Sequence, residues 1–80
     1  MKTMNDRERI GARIAELRKQ KGLSQSELSE LTGYTQSNIA RIEGGKYSVG
    51  IDVLSKVAEA LGAKVEIIIQ HRGTQVDIQP

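Results

Sequence analysis

Apolar residues recur at helical spacing through the first three quarters of the chain, and glycines separate the segments that they form. The first segment predicts a helix from about residue 6 to residue 20. Its inward positions, at i, i+4 and i+7, are Ile10, Ile14 and Leu17. Asn5 or Asp6 can cap the start of this helix, and Gly22 follows its basic last turn as a C-terminal stop.

Two shorter helices with a tight turn between them are predicted next. The first opens with the capping box Ser24-Gln25-Ser26-Glu27 and ends at Gly33, a residue suited to a turn with positive φ. Thr35 caps the second, which runs from Gln36 to about Glu43, where two glycines stop it. The residues predicted to face inward are Leu28, Leu31, Ile39 and Ile42.

The apolar period changes near Gly62, where a fourth helix ends. The inward positions of that helix are Ile51, Leu54, Val57, Ala58 and Leu61. After Gly62, residues 64–70 are β-branched and nearly alternating, which predicts a strand, and residues 74–78 predict a weaker second strand. We therefore divide the chain into a helical domain, residues 1–62, and a C-terminal β segment, residues 63–80.

The composition argues against several functional classes. The 80 residues include no Cys, a single His and two aromatic residues, Tyr34 and Tyr47. Without cysteine there is no thiolate zinc site and no thiol nucleophile, and His71 alone cannot build a metal cluster or a catalytic triad. We therefore expect no enzyme, no metal and no cofactor. A polar start, and no apolar run of about 18 residues, lead us to expect a cytoplasmic protein without a signal peptide or membrane span.

The net charge of +2 is unevenly distributed, because six basic and two acidic residues lie between Arg7 and Lys21. Such an asymmetry is compatible with a nucleic-acid or acidic-surface partner. A solvated helix face explains it equally well, so charge alone does not decide the function.

The second and third predicted helices, with the turn at Gly33, form the helix-turn-helix pattern of DNA-binding proteins. A major groove admits one helix, in which Gln or Asn can bond adenine and Arg can bond guanine, each with two hydrogen bonds. The residues left outward on the third helix are Gln36, Ser37, Asn38, Ala40 and Arg41. The alternative is a polar surface on a small helical bundle without a partner.

Residues 9–62 resemble the Cro/C1-type (lambda-repressor-like, Xre) helix-turn-helix family. The matching stretches are IAELRKQKGLSQSELSELTGYTQSNIARIEGGK and VLSKVAEALG. The resemblance implies a mainly α, four-helix DNA-binding domain that is usually dimeric on a palindromic operator. It also implies base contacts from Gln36, Ser37 and Arg41, base or backbone contacts from Asn38, phosphate contacts from Gln25 and Lys46, and an Arg18–Glu43 ion pair. Two further candidates for phosphate are the hydroxyl of Tyr47 and Lys19 at the basic end of the first helix.

The chain departs from that family at its C-terminal end. Many members end in a fifth helix, whereas the strand predicted here resembles the antitoxin-like subset, including partners of HipA-like and HigB/RelE-like toxins. A lone strand exposes unpaired backbone groups, and apolar side chains on both of its faces favour burial in an interface. We expect a hairpin, pairing with a second copy, or both. The residues expected in a homodimer interface are Val65, Ile67, Ile68 and Ile69.

The sequence thus favours a dimeric, sequence-specific transcriptional regulator that acts as a repressor on a palindromic operator, with recognition helices about 34 Å apart. One alternative is the antitoxin of a two-gene module, which binds a toxin as well as its own operator. The alternative from another class is a module of the same fold that bridges proteins and does not read DNA.

Overall fold

The computed structural model describes residues 3–70, which contain four α-helices. They are α1 (Asp6–Gln20), α2 (Gln25–Thr32), α3 (Gln36–Glu43) and α4 (Ile51–Ala60). All four helices lie where the sequence predicts them. No helix among the described residues has both the length and the apolar character needed to cross a bilayer.

Side-chain caps fix where the first three helices begin. At α2, the Ser24 hydroxyl accepts from Glu27 N at 3.0 Å, and Ser24 N donates to the Glu27 carboxylate at 2.9 Å. Asn5 and Glu8 form the same reciprocal pair at α1, while Thr35 accepts from Asn38 N at 3.1 Å at α3. Each cap satisfies backbone donors that a helix start leaves without an internal partner.

The core lies between the four helices: α3 packs against α1 and α2, and α2 packs against α4. Its buried apolar residues are Ile14, Leu28, Ile39, Ile42, Val57 and Leu61. Three inward positions were predicted wrongly, since Ile10 is 39% exposed, Leu31 is 59% exposed and Ile51 is 60% exposed. In α2 the buried face comprises Leu28 and Thr32, whose hydroxyl donates to Leu28 O at 2.9 Å, and Leu31 lies about 100° around the helix from Thr32. Ile51 is the first residue of α4 and does not belong to the buried cluster.

Backbone geometry and one hydroxyl shape the turn between α2 and α3. Gly33 has φ = 80°, the left-handed conformation that the sequence predicts for this glycine. Ser29 donates a hydrogen bond from its hydroxyl to Tyr34 O. This bond satisfies the hydroxyl inside the motif and ties α2 to the turn.

At Gly11, α1 makes a close contact with the end of α3. Gly11 is buried, and a Cβ on it would lie 2.2 Å from Ile42 O and 2.6 Å from Glu43 O. No side chain fits in this space, so α1 supports the last turn of α3 directly, backbone against backbone.

The predicted C-terminal strand is not found in the described part of the chain. Residues 63–70 have no regular secondary structure, and residues 3–70 contain no strand. A strand requires a neighbour that satisfies its backbone N–H and C=O groups, and no such neighbour is present among these residues. The second predicted strand, residues 74–78, lies outside the described residues.

Candidate nucleic-acid interface

α3 presents a polar stripe to solvent. Four of its residues are exposed, namely Gln36, Ser37, Ala40 and Arg41. At 100° per residue they span roughly 140° of the helix circumference, opposite buried Ile39 and Ile42. Asn38 is half-buried at the edge of this stripe. The structure therefore places three predicted base-reading residues on one open face and the fourth, Asn38, at its margin.

A buried ion pair connects α1 to the C-terminal end of α3. Arg18 Nε donates to Glu43 Oε2 at 2.6 Å, and Arg18 Nη2 donates to Glu43 Oε1 at 3.0 Å. A third donor of the guanidinium, Nη1, bonds Leu23 O at 2.8 Å. The two side chains are 11% and 7% exposed, and the hydrogen bond to Glu43 raises the pKa of Arg18 above its ordinary value. The pair implied by the resemblance is thus a bidentate, largely desolvated contact.

Gln25 joins this cluster from the first position of α2. Its Nε2 donates to Glu43 Oε1 at 3.1 Å, and the side chain is half-buried. One amide hydrogen makes this bond, and the Nε2 group carries a second. The backbone N–H groups of the first turn of α2 surround the same position and are suited to an anion. Gln25 is therefore fixed where a phosphate contact is predicted.

The segment after α3 turns back onto the helix. Lys46 N donates to Arg41 O at 2.9 Å and Gly45 N donates to Ile42 O at 3.1 Å, which is the Schellman pattern. Gly45 has φ = 66°, and a Cβ there would lie 2.8 Å from the Cα of Glu8 in α1. This turn is consequently held against α1, with Lys46 exposed and Tyr47 half-buried against the core.

The Tyr47 ring contacts the side chain of Arg41, one of the predicted base-reading residues. The Arg41 Cζ is 5.5 Å from the centroid of the ring. Tyr34, by comparison, packs against the core at the helix-turn-helix turn, with Lys56 Nζ 5.2 Å from its ring centroid. The structure therefore brings Arg41 and Tyr47 together, whereas Tyr34 packs against the core.

Local pairing removes much of the basic excess of α1. Arg9 pairs with Asp6 and Arg13 pairs with Glu16, and both ion pairs are exposed, while Arg18 forms its ion pair with Glu43. Lys19 is exposed on α1, beside Ala15 and Glu16. The charge at the candidate interface is accordingly smaller than the sequence count suggests.

An apolar groove lies on another face of the domain, between α1, α4 and the segment after Gly62. Its volume is about 270 Å³. Apolar residues that line it include Ile10, Leu17, Leu54, Ala58 and Val65. Farther along the segment, Ile67, Ile68 and Ile69 are 61%, 75% and 93% exposed. Of the four residues predicted to form a dimer interface, only Val65 is thus partly covered in this chain.

The Helix-turn-helix family (HTH_3) matches residues 14–68, more than half of the chain. The chain belongs to this family, in its Cro/C1 (Xre) type.

Most curated relatives of this family member are named as regulators of transcription or as a repressor. The HTH-type transcriptional regulator PuuR of Escherichia coli is 44% identical over 52 residues, which cover 65% of this chain and 28% of PuuR. An uncharacterized HTH-type transcriptional regulator, y4dJ of Sinorhizobium fredii, is 33% identical over 66 residues, 81% of this chain and 86% of that protein. The immunity repressor of Bacillus phage phi105 is 37% identical over 60 residues, 75% of this chain and 42% of the repressor. The chain thus spans less than a third of the length of PuuR.

Solved structures share the fold. The clp gene regulator ClgR of Corynebacterium glutamicum superposes with a TM-score of 0.72 and 34% identity, over 74% of this chain and 76% of that one. The biofilm regulator SinR, in complex with DNA, gives a TM-score of 0.65 and 39% identity over 69% of this chain and 89% of SinR. A toxin-antitoxin module from Streptococcus pneumoniae superposes with a TM-score of 0.66 and 37% identity, over 81% of this chain and 71% of that one.

Three features of the site were not predicted from the sequence. They are the Gln25–Glu43 hydrogen bond, the cation–π contact of Arg41 with Tyr47, and the contact of α1 with the end of α3 at Gly11. Only Gly11 left a signal, because a glycine inside a helix costs about 1 kcal/mol relative to alanine and calls for a packing reason.

Proposed function

We propose that this protein is a sequence-specific transcriptional repressor that binds a palindromic DNA operator as a homodimer. The observation that carries the proposal is the exposed polar stripe of α3. The Arg18–Glu43 pair and the contact at Gly11 fix α3 to α1. The names of the relatives, an immunity repressor among them, support the same reading.

In this proposal α3 lies in the major groove of DNA, and its side chains contact different bases. Gln36 bonds an adenine, Arg41 bonds a guanine, and Ser37 and Asn38 contact neighbouring bases or backbone. Phosphate contacts position the domain. They come from Lys19, Gln25, Lys46 and the Tyr47 hydroxyl. The first turns of α2 and α3 add backbone N–H groups, which suit phosphate oxygens.

The test is selection of bound sequences from random double-stranded DNA with the full chain. We expect an enriched palindrome with half-site centres one helical turn apart, about 34 Å. Arg41→Ala should lose preference at one base pair, whereas Arg13→Gln, a control on the outer surface, should keep the selected sequence. Failure to enrich any sequence would contradict the proposal.

The homodimer is proposed to form through Val65, Ile67, Ile68 and Ile69. Three strongly exposed isoleucines in a row, next to an apolar groove, leave apolar surface that a second copy can cover. Sedimentation of the full chain tests this. Ile69→Asp should shift the protein towards monomer, and Ile51→Asp, which alters an exposed isoleucine on α4, should not. A dimer unaffected by Ile69→Asp and by truncation after Gly62 would rule out this interface.

A second candidate function is that of an antitoxin that also represses its own operon. The likeness to the Streptococcus pneumoniae toxin-antitoxin module, at 37% identity, favours it. Co-expression with the product of the adjacent gene would show a stable complex and relief of growth arrest if this is correct. A protein complex without any DNA preference would instead favour a protein-bridging module.

A further inference from the structure

The contact between Arg41 and Tyr47 joins an exposed arginine to a ring that the fold holds in place. Arg41 is solvent-exposed on α3, and Tyr47 is half-buried against the core. The separation of 5.5 Å between Arg41 Cζ and the ring centroid lies within the ~6 Å range of a cation–π contact. Of the four predicted base-reading side chains, arginine has the most rotamer freedom to lose on binding.

The turn after α3 explains why the ring is there. The Lys46 N to Arg41 O hydrogen bond brings the chain back beside Arg41, so the next residue, Tyr47, lies alongside that side chain. Gly45 provides the left-handed step of this turn and rests on the backbone of Glu8 in α1. The ring is therefore positioned by backbone contacts that exist before any DNA binds.

We propose that Tyr47 is a positioning residue for Arg41, and that its ring sets how strongly the protein selects guanine at the base pair that Arg41 reads. The inference rests on the proposed function, in which α3 reads DNA. The guanidinium is planar, so its N–H donors lie in a single plane, and contact with a fixed ring limits how that plane can turn. That plane must align with O6 and N7 of guanine for two hydrogen bonds to form. Restricting Arg41 in advance reduces the ordering that binding requires.

This role differs from the phosphate contact predicted for the Tyr47 hydroxyl. A phosphate contact strengthens binding to every sequence alike, whereas a positioned arginine strengthens binding to one sequence over another. Tyr47→Phe removes only the hydroxyl. Tyr47→Leu removes the ring and keeps an apolar side chain that can pack against the core.

The experiment measures Kd by fluorescence anisotropy for two DNAs. One is the selected operator, and the other is the same operator with the base pair that Arg41 reads replaced by another. The ratio of the two values is the discrimination. We expect Tyr47→Leu to lower this ratio about two- to fivefold, which corresponds to an exposed cation–π contact, and Tyr47→Phe to keep it. In an Arg41→Gln background, Tyr47→Leu should cause no further loss of discrimination. Thermal melting verifies that each variant is folded at the assay temperature.

A second readout needs no DNA. In the NMR spectrum of the protein alone, the Arg41 Nε–H resonance should be shifted by the aromatic ring in wild type and Tyr47→Phe, and should move to its ordinary position in Tyr47→Leu. Equal discrimination in Tyr47→Leu and wild type would overturn the inference, as would equal losses on both DNAs or an additive loss in the Arg41→Gln background. If wild type prefers no sequence, the proposed function fails, and that result is distinguishable because it appears before any variant is compared.

Discussion

Replacing Arg18 with methionine should destabilise the domain far more than removing any exposed arginine. The guanidinium makes three hydrogen bonds, two to the Glu43 carboxylate and one to Leu23 O, and the residue is 9% exposed. Methionine fills similar space but leaves the Glu43 charge with a single side-chain donor, Gln25 Nε2. The loss therefore includes the cost of an uncompensated, poorly solvated carboxylate.

The size of the effect follows from this burial. Removing one partner of a buried pair costs about 3–5 kcal/mol, and the low end applies because the cluster lies near the surface of a small domain. A loss of about 3 kcal/mol lowers Tm by at least about 12 °C in a domain of this size. Arg13 is the matched control, since it is on the same helix and its pair with Glu16 is exposed. Arg13→Met should cost at most about 1 kcal/mol.

Urea unfolding followed by circular dichroism gives these free energies, at equal protein concentrations because dimer formation would add to the apparent stability. The double variant Arg18→Met/Glu43→Leu should recover most of the loss, since it leaves no buried charge without a partner. The reasoning is refuted if Arg18→Met costs no more than Arg13→Met. It is also refuted if the double variant is less stable than Arg18→Met.

The other predictions concern packing and charge. Gly11→Ala should destabilise the domain by about 1–3 kcal/mol in urea unfolding, despite the better helix propensity of alanine, because its Cβ would overlap Ile42 O. Gly50 is the N-cap of α4, and a Cβ there would meet nothing within 4 Å, so Gly50→Ser should add a few tenths of a kcal/mol of stability by capping the helix. A less stable Gly50→Ser or a more stable Gly11→Ala would contradict this account. For DNA binding, two lysine phosphate contacts in each protomer of a dimer, Lys19 and Lys46, predict a slope of log K against log salt of about −4. Lys46→Gln should reduce the magnitude of the slope by about 2. A wild-type slope near −10 would exclude the assignment of only two lysine phosphate contacts to each protomer.

The local structure could be predicted from the sequence because short-range chemistry determines it. Ser24 and Glu27 lie three residues apart, which is the spacing that a capping box requires, and Thr35 caps α3 at the predicted position. Gly33 takes the positive φ predicted for it. Each of these features depends on residues within one turn of one another, so no knowledge of the tertiary fold was needed.

The features that could not be predicted depend on contacts between distant segments. Leu31 and Thr32 have adjacent places on α2, and only the packing against α3 and α4 decides which of them is buried. The Gln25–Glu43 bond likewise joins residues 18 positions apart. The predicted strand at residues 64–70 needs a partner that satisfies its backbone groups, and its side-chain pattern does not say where that partner comes from.

The Arg18–Glu43 pair also decides what charge the DNA-facing side carries. From Ser24 to Tyr47 there are two basic residues, Arg41 and Lys46, and three glutamates. Glu27 accepts from Ser24 N, and Glu43 is bound by Arg18, a residue of α1. Only Glu30 among the three is exposed without such a bond in the described residues, so the acidic excess of the motif is largely offset within the fold. We therefore expect affinity to depend on the shape of α3 and the backbone N–H groups of α2 and α3 more than on net charge. A protein of this kind gains from fixed side-chain geometry at the base edges, since it has little charge with which to hold nonspecific DNA.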